Sequence, residues 1–215
     1  MSIKIILADD HNIVREAIGV LLDSESDMKV VGESADGRTT LELAQKMNPD
    51  VVITDIAMPG LNGIGTTRKI IAKMPGVKVI ALSAYSDRKF VFHMFKAGAS
   101  GYLLKDCVFD ELTCAIRAVV RNEIYISPRI ANIVVKDFIH QSFKNDSLVF
   151  YALTDREREV LQLLAEGKAT KQVAFLLKIS PKTIETHRLN IMEKLNIHSV
   201  PELTKYAIRE GLTFL

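Results

Sequence analysis

Three carboxylates, a hydroxyl and an ammonium stand at the ends of short apolar runs in this chain, and together they could handle a phosphoryl group. Asp55 closes Val51-Val52-Ile53-Thr54, and Pro59-Gly60 turns the chain soon afterwards. Asp9 and Asp10 close Ile3-Lys4-Ile5-Ile6-Leu7-Ala8, Ser83 follows the run 77–82, and Lys105 follows Gly101-Tyr102-Leu103-Leu104. Taken alone, Asp55 reads as a loop cap; the other run ends change that reading. Clustered carboxylates repel unless a cation joins them, and hard oxygen ligands with an open position suit Mg²⁺. A carboxylate held beside Mg²⁺ and a lysine is a nucleophile towards phosphorus. Phosphoryl transfer to Asp55, with Mg²⁺ as cofactor, is the chemistry these residues predict.

The runs that carry them are apolar without alternation, the pattern of strands buried on both faces. Strands are expected at 3–8, 28–31, 51–54, 77–82 and 101–104, with helical periodicity at 13–22, 40–47, 64–73, 88–96 and 109–120. Such alternation predicts a doubly wound parallel sheet with right-handed crossovers, five-stranded and flavodoxin-like. Ligands gather where the strands of such sheets end. Residues 1–121 are assigned to this α/β domain. Residues 122–147 read as a partly helical linker, in which Ile130, Ile133, Val134 and Phe138 form an apolar stripe suited to docking on a domain. Residues 148–215 carry no strand pattern, only four helical runs. Thr154 and Glu157 make a capping box, Gly167 stops the first helix, and Ser180-Pro181 opens the third. Ser199 and Glu202 open the fourth.

The hydrophobic fraction of 48% and mean hydropathy of +0.14 fit a globular chain with real cores. No window approaches the ~20 apolar residues that cross a bilayer, and no signal-peptide pattern precedes Asp9, so a cytoplasmic protein without membrane contact is expected. Cys107 and Cys114 lie two helical turns apart, too far for a disulfide. The net charge of +2 falls wholly in residues 151–215. Lys168, Lys171, Lys178, Lys182, Arg188 and Lys194 there face only Glu185 and Glu193 between 168 and 194. That is a modest polyanion footprint, or equally a solvated basic face.

Projected at ~100° per residue, the third helix of this segment puts Ile184, Ile191 and Leu195 on one side. Lys182, Thr186, Leu189 and Glu193 fall opposite. The helix 170–177 and the one opened by Ser180-Pro181, joined by Lys178-Ile179-Ser180, make a helix-turn-helix whose second member would enter the DNA major groove. Lys168, Lys171, Lys182 and Lys194 are candidate phosphate contacts, and Glu185, Thr186 and Leu189 candidate base readers. Thr170, Thr183, His187, Arg188 and Asn190 complete the candidate DNA surface. Leu189 reads nearly as well as a core residue, and His187 better as a helix-packing one.

On the acidic site and strand pattern, residues 1–121 resemble the receiver domain of bacterial two-component response regulators. The resemblance implies that Asp55 is the phosphoacceptor, Asp9 and Asp10 hold Mg²⁺, and the Ala57 backbone carbonyl completes the metal site. It implies Ser83 as the hydroxyl that binds the phosphoryl group, Lys105 as its counter-ion and Tyr102 as the aromatic switch that turns inward when Ser83 moves. Asp106 stands where many receivers carry proline. The stretches 153–161 and 183–191, with Gly167, Lys194 and Leu195, resemble the LuxR-type DNA-binding domain, though Ala169 and Thr170 stand where Ser and Asn are common. A receiver joined to that domain is the NarL/FixJ arrangement. It implies a transcription regulator, not an enzyme, with a sensor histidine kinase and promoter DNA as partners, a homodimer on phosphorylation, and RNA polymerase as a candidate contact. The modified receiver would drive dimerisation or release the DNA-binding helix. Two other classes remain open at this stage. A phosphoaspartyl phosphatase would need an aspartate where Ala57 stands, and a phosphorylation-independent interaction module would not need the acidic site.

Overall fold

A computed structural model describes residues 2–107, 109–140 and 153–213, and the chain divides into two compact units, 1–140 and 141–215. In the first unit, strands β1 (Ile3–Ala8), β2 (Met28–Ser34), β3 (Val51–Thr54), β4 (Lys78–Ser83), β5 (Gly101–Leu104) and β6 (Tyr125–Ile126) form one sheet in the order β2-β1-β3-β4-β5-β6. Every pairing is parallel. Between them run α1 (Asn12–Ser24), α2 (Gly37–Met47), α3 (Gly63–Lys73), α4 (Arg88–Lys96) and α5 (Phe109–Val120), and α6 (Pro128–His140) follows β6.

Residues of one strand alternate between two cores. Ile5, Leu7, Ile53, Ile80 and Leu103 pack with Leu22 of α1 and with Leu112, Ile116 and Val119 of α5. Ile6, Val52 and Val79 pack on the other face with Ala44 of α2 and Ile70 of α3. Burying each such side chain contributes about 1.5–3 kcal/mol, which is why the residues facing these two cores are apolar. The strand order reverses between β1 and β3, so a crevice opens where those two strands end.

The five-stranded expectation is short by one strand. Tyr125 and Ile126, placed in the linker by the sequence reading, pair with Gly101 and Tyr102. Two residues carry no periodicity, and only the β5 backbone makes them a strand. The linker helix starts at Pro128, with Ile130 fully buried and Ile133 and Val134 half-buried. The Phe138 side chain and the stretch 141–147, with the boundary at 147–148, lie outside the described residues. Helix α2 begins three residues before its expected start, because Asp36 accepts from the N–H groups of Arg38 and Thr39 at 2.9 and 3.0 Å.

The second unit holds α7 (Asp155–Ala165), α8 (Thr170–Leu177), α9 (Pro181–Leu195) and α10 (Val200–Arg209). Thr154 and Glu157 form the expected capping box, and Ser180 caps α9 with Pro181 at its first position. Ile184, Ile191 and Leu195 of α9 are buried with Val160, Leu161, Val173, Leu203 and Tyr206 in one core.

Candidate functional site

The crevice gathers all the residues expected at the strand ends. Asp55 is 3% exposed and Asp9 6%, while Asp10 faces solvent. Backbone geometry explains the placement of Asp55. Its Oδ1 accepts from the N–H groups of Ile56 at 2.6 Å and Ala57 at 3.3 Å. The loop then closes on itself as Gly63 N–H donates to the Ile56 carbonyl at 3.0 Å. A Cβ on Gly63 would stand 2.1 Å from the Asp55 carbonyl oxygen, so only glycine admits this return.

Lys105 reaches in from the end of β5. Its Nζ lies 2.7 Å from Asp55 Oδ2 and 2.6 Å from Asp9 Oδ2. Burial works against the charged ammonium, but its hydrogen bonds to Asp55 and Asp9 outweigh that and hold its pKa above the ordinary lysine range. One cation thus bridges two buried anions, leaving one oxygen of each for other partners. Carboxylate oxygens of Asp9, Asp10 and Asp55 lie with an imidazole nitrogen of His11 within 4.8 Å of one another. Three hard carboxylates at this spacing fit a divalent cation.

Ser83 is fully buried beside them, and its Oγ accepts from the Tyr85 N–H at 3.0 Å. Tyr102 was expected to turn inward only after Ser83 moves. It is inside already: its ring is fully buried, and its hydroxyl donates to the Tyr85 carbonyl at 2.7 Å. That hydrogen bond satisfies the phenol where water cannot reach it, and burial pushes the phenol's pKa well above the usual tyrosine value.

Two site residues escaped the sequence reading. Arg15 uses Nη1 to donate to the Asp9 carbonyl, Nη2 to donate to Asn12 Oδ1 at 2.7 Å, and Nε to donate to Glu33 at 3.2 Å. His11 places Nδ1 3.1 Å from Asp9 Oδ1 and 2.9 Å from Asp10 Oδ1. Position 11 as the residue before α1, and position 15 one turn on, were the available signals; both side chains fold back over the β1–α1 loop.

In the second unit, the outer face of α9 presents Lys182, Thr183, Thr186, Leu189 and Asn190 to solvent. Leu189 is 61% exposed, so of its two readings the core one falls away. Lys171 and Lys182 are exposed and have no ion pair among the described residues. His187 is half-buried. Other candidates make contacts within the unit. Lys194 Nζ donates to both oxygens of the buried Glu157 at 2.9 and 2.8 Å, so it ties α9 to α7 instead of projecting as a phosphate contact. Glu185 has one oxygen on the Thr170 hydroxyl at 2.9 Å and the other on Arg188 Nη2 at 2.7 Å. Lys168 lies 3.1 Å from Glu166.

Comparison with known proteins matches residues 5–117 to the response regulator receiver domain and residues 151–207 to the bacterial regulatory proteins of the luxR family. The chain is 38% identical over 213 residues to the oxygen regulatory protein NreC of Staphylococcus carnosus, covering 97% of this chain and 98% of that one. The S. aureus protein of the same name, from strain MRSA252, is 37% identical over the same share. Among solved structures, the response regulator ChrA of a heme-sensing two-component system aligns at 34% identity and a TM-score of 0.54, over 98% of each chain. RcsB of Salmonella enterica serovar Typhimurium, bound to promoter DNA with a phosphomimetic, aligns at 26% and 0.62 over 99% of this chain and 100% of that one. A doubly wound sheet with an acidic crevice at its switch point, joined in one chain to a four-helix helix-turn-helix unit, thus finds full-length counterparts. The chain belongs to the two-component response regulators of the NarL type, phosphorylation-dependent DNA-binding regulators of transcription.

Proposed function

We propose that Asp55 accepts the phosphoryl group, from the phosphohistidine of a sensor kinase or from a small acyl phosphate. The observation that carries this reading is the convergence of Lys105, Asp9 and Asp10 on one buried carboxylate. A carboxylate oxygen of Asp55 forms the new bond to phosphorus as the donor's P–N or P–O bond breaks, and the donor leaves with the electron pair. Asp9, Asp10, Asp55 and the Ala57 carbonyl would hold Mg²⁺, which when bound would supply Lewis acidity to the phosphoryl oxygens. Lys105 shifts from bridging two carboxylates to countering the phosphoryl charge, which is about −1.5 to −2 by analogy with other phosphorylated side chains. Ser83 exchanges its bond from the Tyr85 N–H for one to the phosphoryl group. The Tyr85 segment follows and carries the Tyr102 hydroxyl that donates to it, a shift between two surfaces and not a new fold.

The altered receiver surface favours a homodimer, whose two α9 helices read half-sites about one DNA turn apart. Lys171 and Lys182 neutralise phosphates, with Lys168 beside them, while Thr186 and Leu189 face base edges. Thr183 and Asn190 flank them. Glu185 fixes Thr170 and Arg188, and His187 packs the helix. The chain works in the cytoplasm with its DNA, contacts RNA polymerase there, and is a switch without turnover. Ala57 supports that last point, since a phosphatase of this chemistry needs a carboxylate at its position. The test is Asp55→Asn. Labelling by an acyl phosphate should vanish, and with it the phosphodonor's effect on promoter binding. Unchanged labelling would reject Asp55 as acceptor.

A further inference from the structure

We propose that His11 Nδ1 is a protein ligand of the cation in the acidic crevice and moves its preference from Mg²⁺ towards Mn²⁺, Co²⁺ and Zn²⁺. The inference rests on the reading of that crevice as a cation site. His11 is the residue before α1, and its backbone N–H donates to Asp9 Oδ1 at 2.9 Å, which fixes where the side chain starts. From there Nδ1 lies 3.1 Å from Asp9 Oδ1 and 2.9 Å from Asp10 Oδ1. Neighbouring ligands at right angles on a cation, each about 2.1 Å from it, stand about 3.0 Å apart. Lys105 takes the opposite oxygens, Oδ2 of Asp9 and Oδ2 of Asp55. Asp9 Oδ1 and Asp10 Oδ1, the atoms beside His11 Nδ1, are not among the oxygens that Lys105 takes.

An all-oxygen site suits Mg²⁺, whereas an imidazole nitrogen among carboxylates suits the later first-row divalent metals. A nitrogen at this position gives the crevice a mixed donor set. The His11 side chain is 64% exposed, so its replacement removes no core packing. Hydrogen bonds from the imidazole to the two carboxylates would give the same separations without any metal bond, and the experiment distinguishes the two.

Mn²⁺ is titrated into the metal-free full-length protein and followed by electron spin resonance, with pulsed measurements for nitrogen coupling, in the native protein, His11→Gln and Asp10→Asn. Native protein should bind Mn²⁺ with the coupling of a directly bound imidazole nitrogen. His11→Gln should keep Mn²⁺ and lose that coupling. Its preference for Co²⁺ over Mg²⁺, measured by calorimetry, should fall on the order of ten-fold, with Mg²⁺ affinity little changed. Asp10→Asn should lose both metals. Bound Mn²⁺ without imidazole coupling in the native protein would overturn the role of His11 and leave the cation site standing. Failure of the native protein to bind Mn²⁺ or Mg²⁺, or equal binding by Asp10→Asn, would overturn both.

Discussion

Removing the Lys105 ammonium should destabilise the receiver in a way that a divalent cation repairs. Lys105 Nζ stands 2.7 Å from Asp55 and 2.6 Å from Asp9, with side-chain exposures of 17% for the lysine, 3% for Asp55 and 8% for Asp9. At an effective dielectric constant near 20, each contact carries about 6 kcal/mol of Coulomb attraction. Desolvation of the three groups offsets most of it, but Lys105→Ala restores none of that desolvation for the two anions left behind. A net loss of about 3 kcal/mol is expected. The two uncompensated carboxylates then attract Mg²⁺ more strongly, and Mg²⁺ at about 100 times its Kd returns about 2.7 kcal/mol. Hydrogen exchange of the β1, β3 and β5 amides in urea, with EDTA or with Mg²⁺, reads both effects in the full chain. Since the lysine pKa is raised, its contribution is complete below the ordinary value of about 10.4 and fades only as pH climbs past the folded value above that. Near neutral pH the loss should therefore be flat. A loss under about 1 kcal/mol in EDTA, or one of full size that Mg²⁺ leaves unchanged, would refute the account of Lys105 as the ammonium that compensates two buried carboxylates beside a cation site.

Gly63→Ala should cost roughly 2 kcal/mol or more by overpacking, and slow phosphoryl transfer, because its Cβ would sit 2.1 Å from the Asp55 carbonyl; unaltered labelling kinetics would contradict the role given to this loop. Burial opposes the ionised Glu157, yet Lys194 and Thr154 outweigh it and keep its pKa below the usual carboxylate value. Its contribution is present above pH ~4.3 and lost as pH falls through that lower value, so acid unfolding of the helical unit should shift to higher pH in Lys194→Ala, at a cost of about 1–2 kcal/mol near neutrality. Lys182→Ala should weaken binding to all DNA sequences and lower the salt slope by about 1, whereas Thr186→Ala should change sequence preference at constant slope. Binding-site selection from random DNA, run at two salt concentrations, separates these outcomes.

The strands, and the chemistry at their ends, were legible because burial on both faces leaves an unbroken apolar run, and the first polar residue after it marks the sheet's carboxyl end. Strands β3 and β5 and helices α4 and α5 have the expected bounds. What could not be read depends on contacts between distant residues. Lys194 with Glu157 is one case, 37 positions apart, and it turns an expected DNA contact into a brace between helices. The contacts of Glu185 with Thr170 and Arg188, the first of them 15 positions away, are of the same kind. The start of α2 was there to be found in Asp36, whose side-chain cap overrides the missing apolar periodicity at 37–39.

Strand β6 has a practical consequence for anyone dividing this chain. The Tyr125 N–H donates to the Ser100 carbonyl at 3.0 Å, and the Ser127 N–H to the Tyr102 carbonyl at 3.1 Å. A receiver cut after residue 121 would lose both donors and lay bare the flank of β5, a row of unsatisfied backbone groups open to pairing with a second molecule. Self-association of such a fragment would report on the missing two-residue strand and not on phosphorylation, so an isolated receiver should keep residues 122–140.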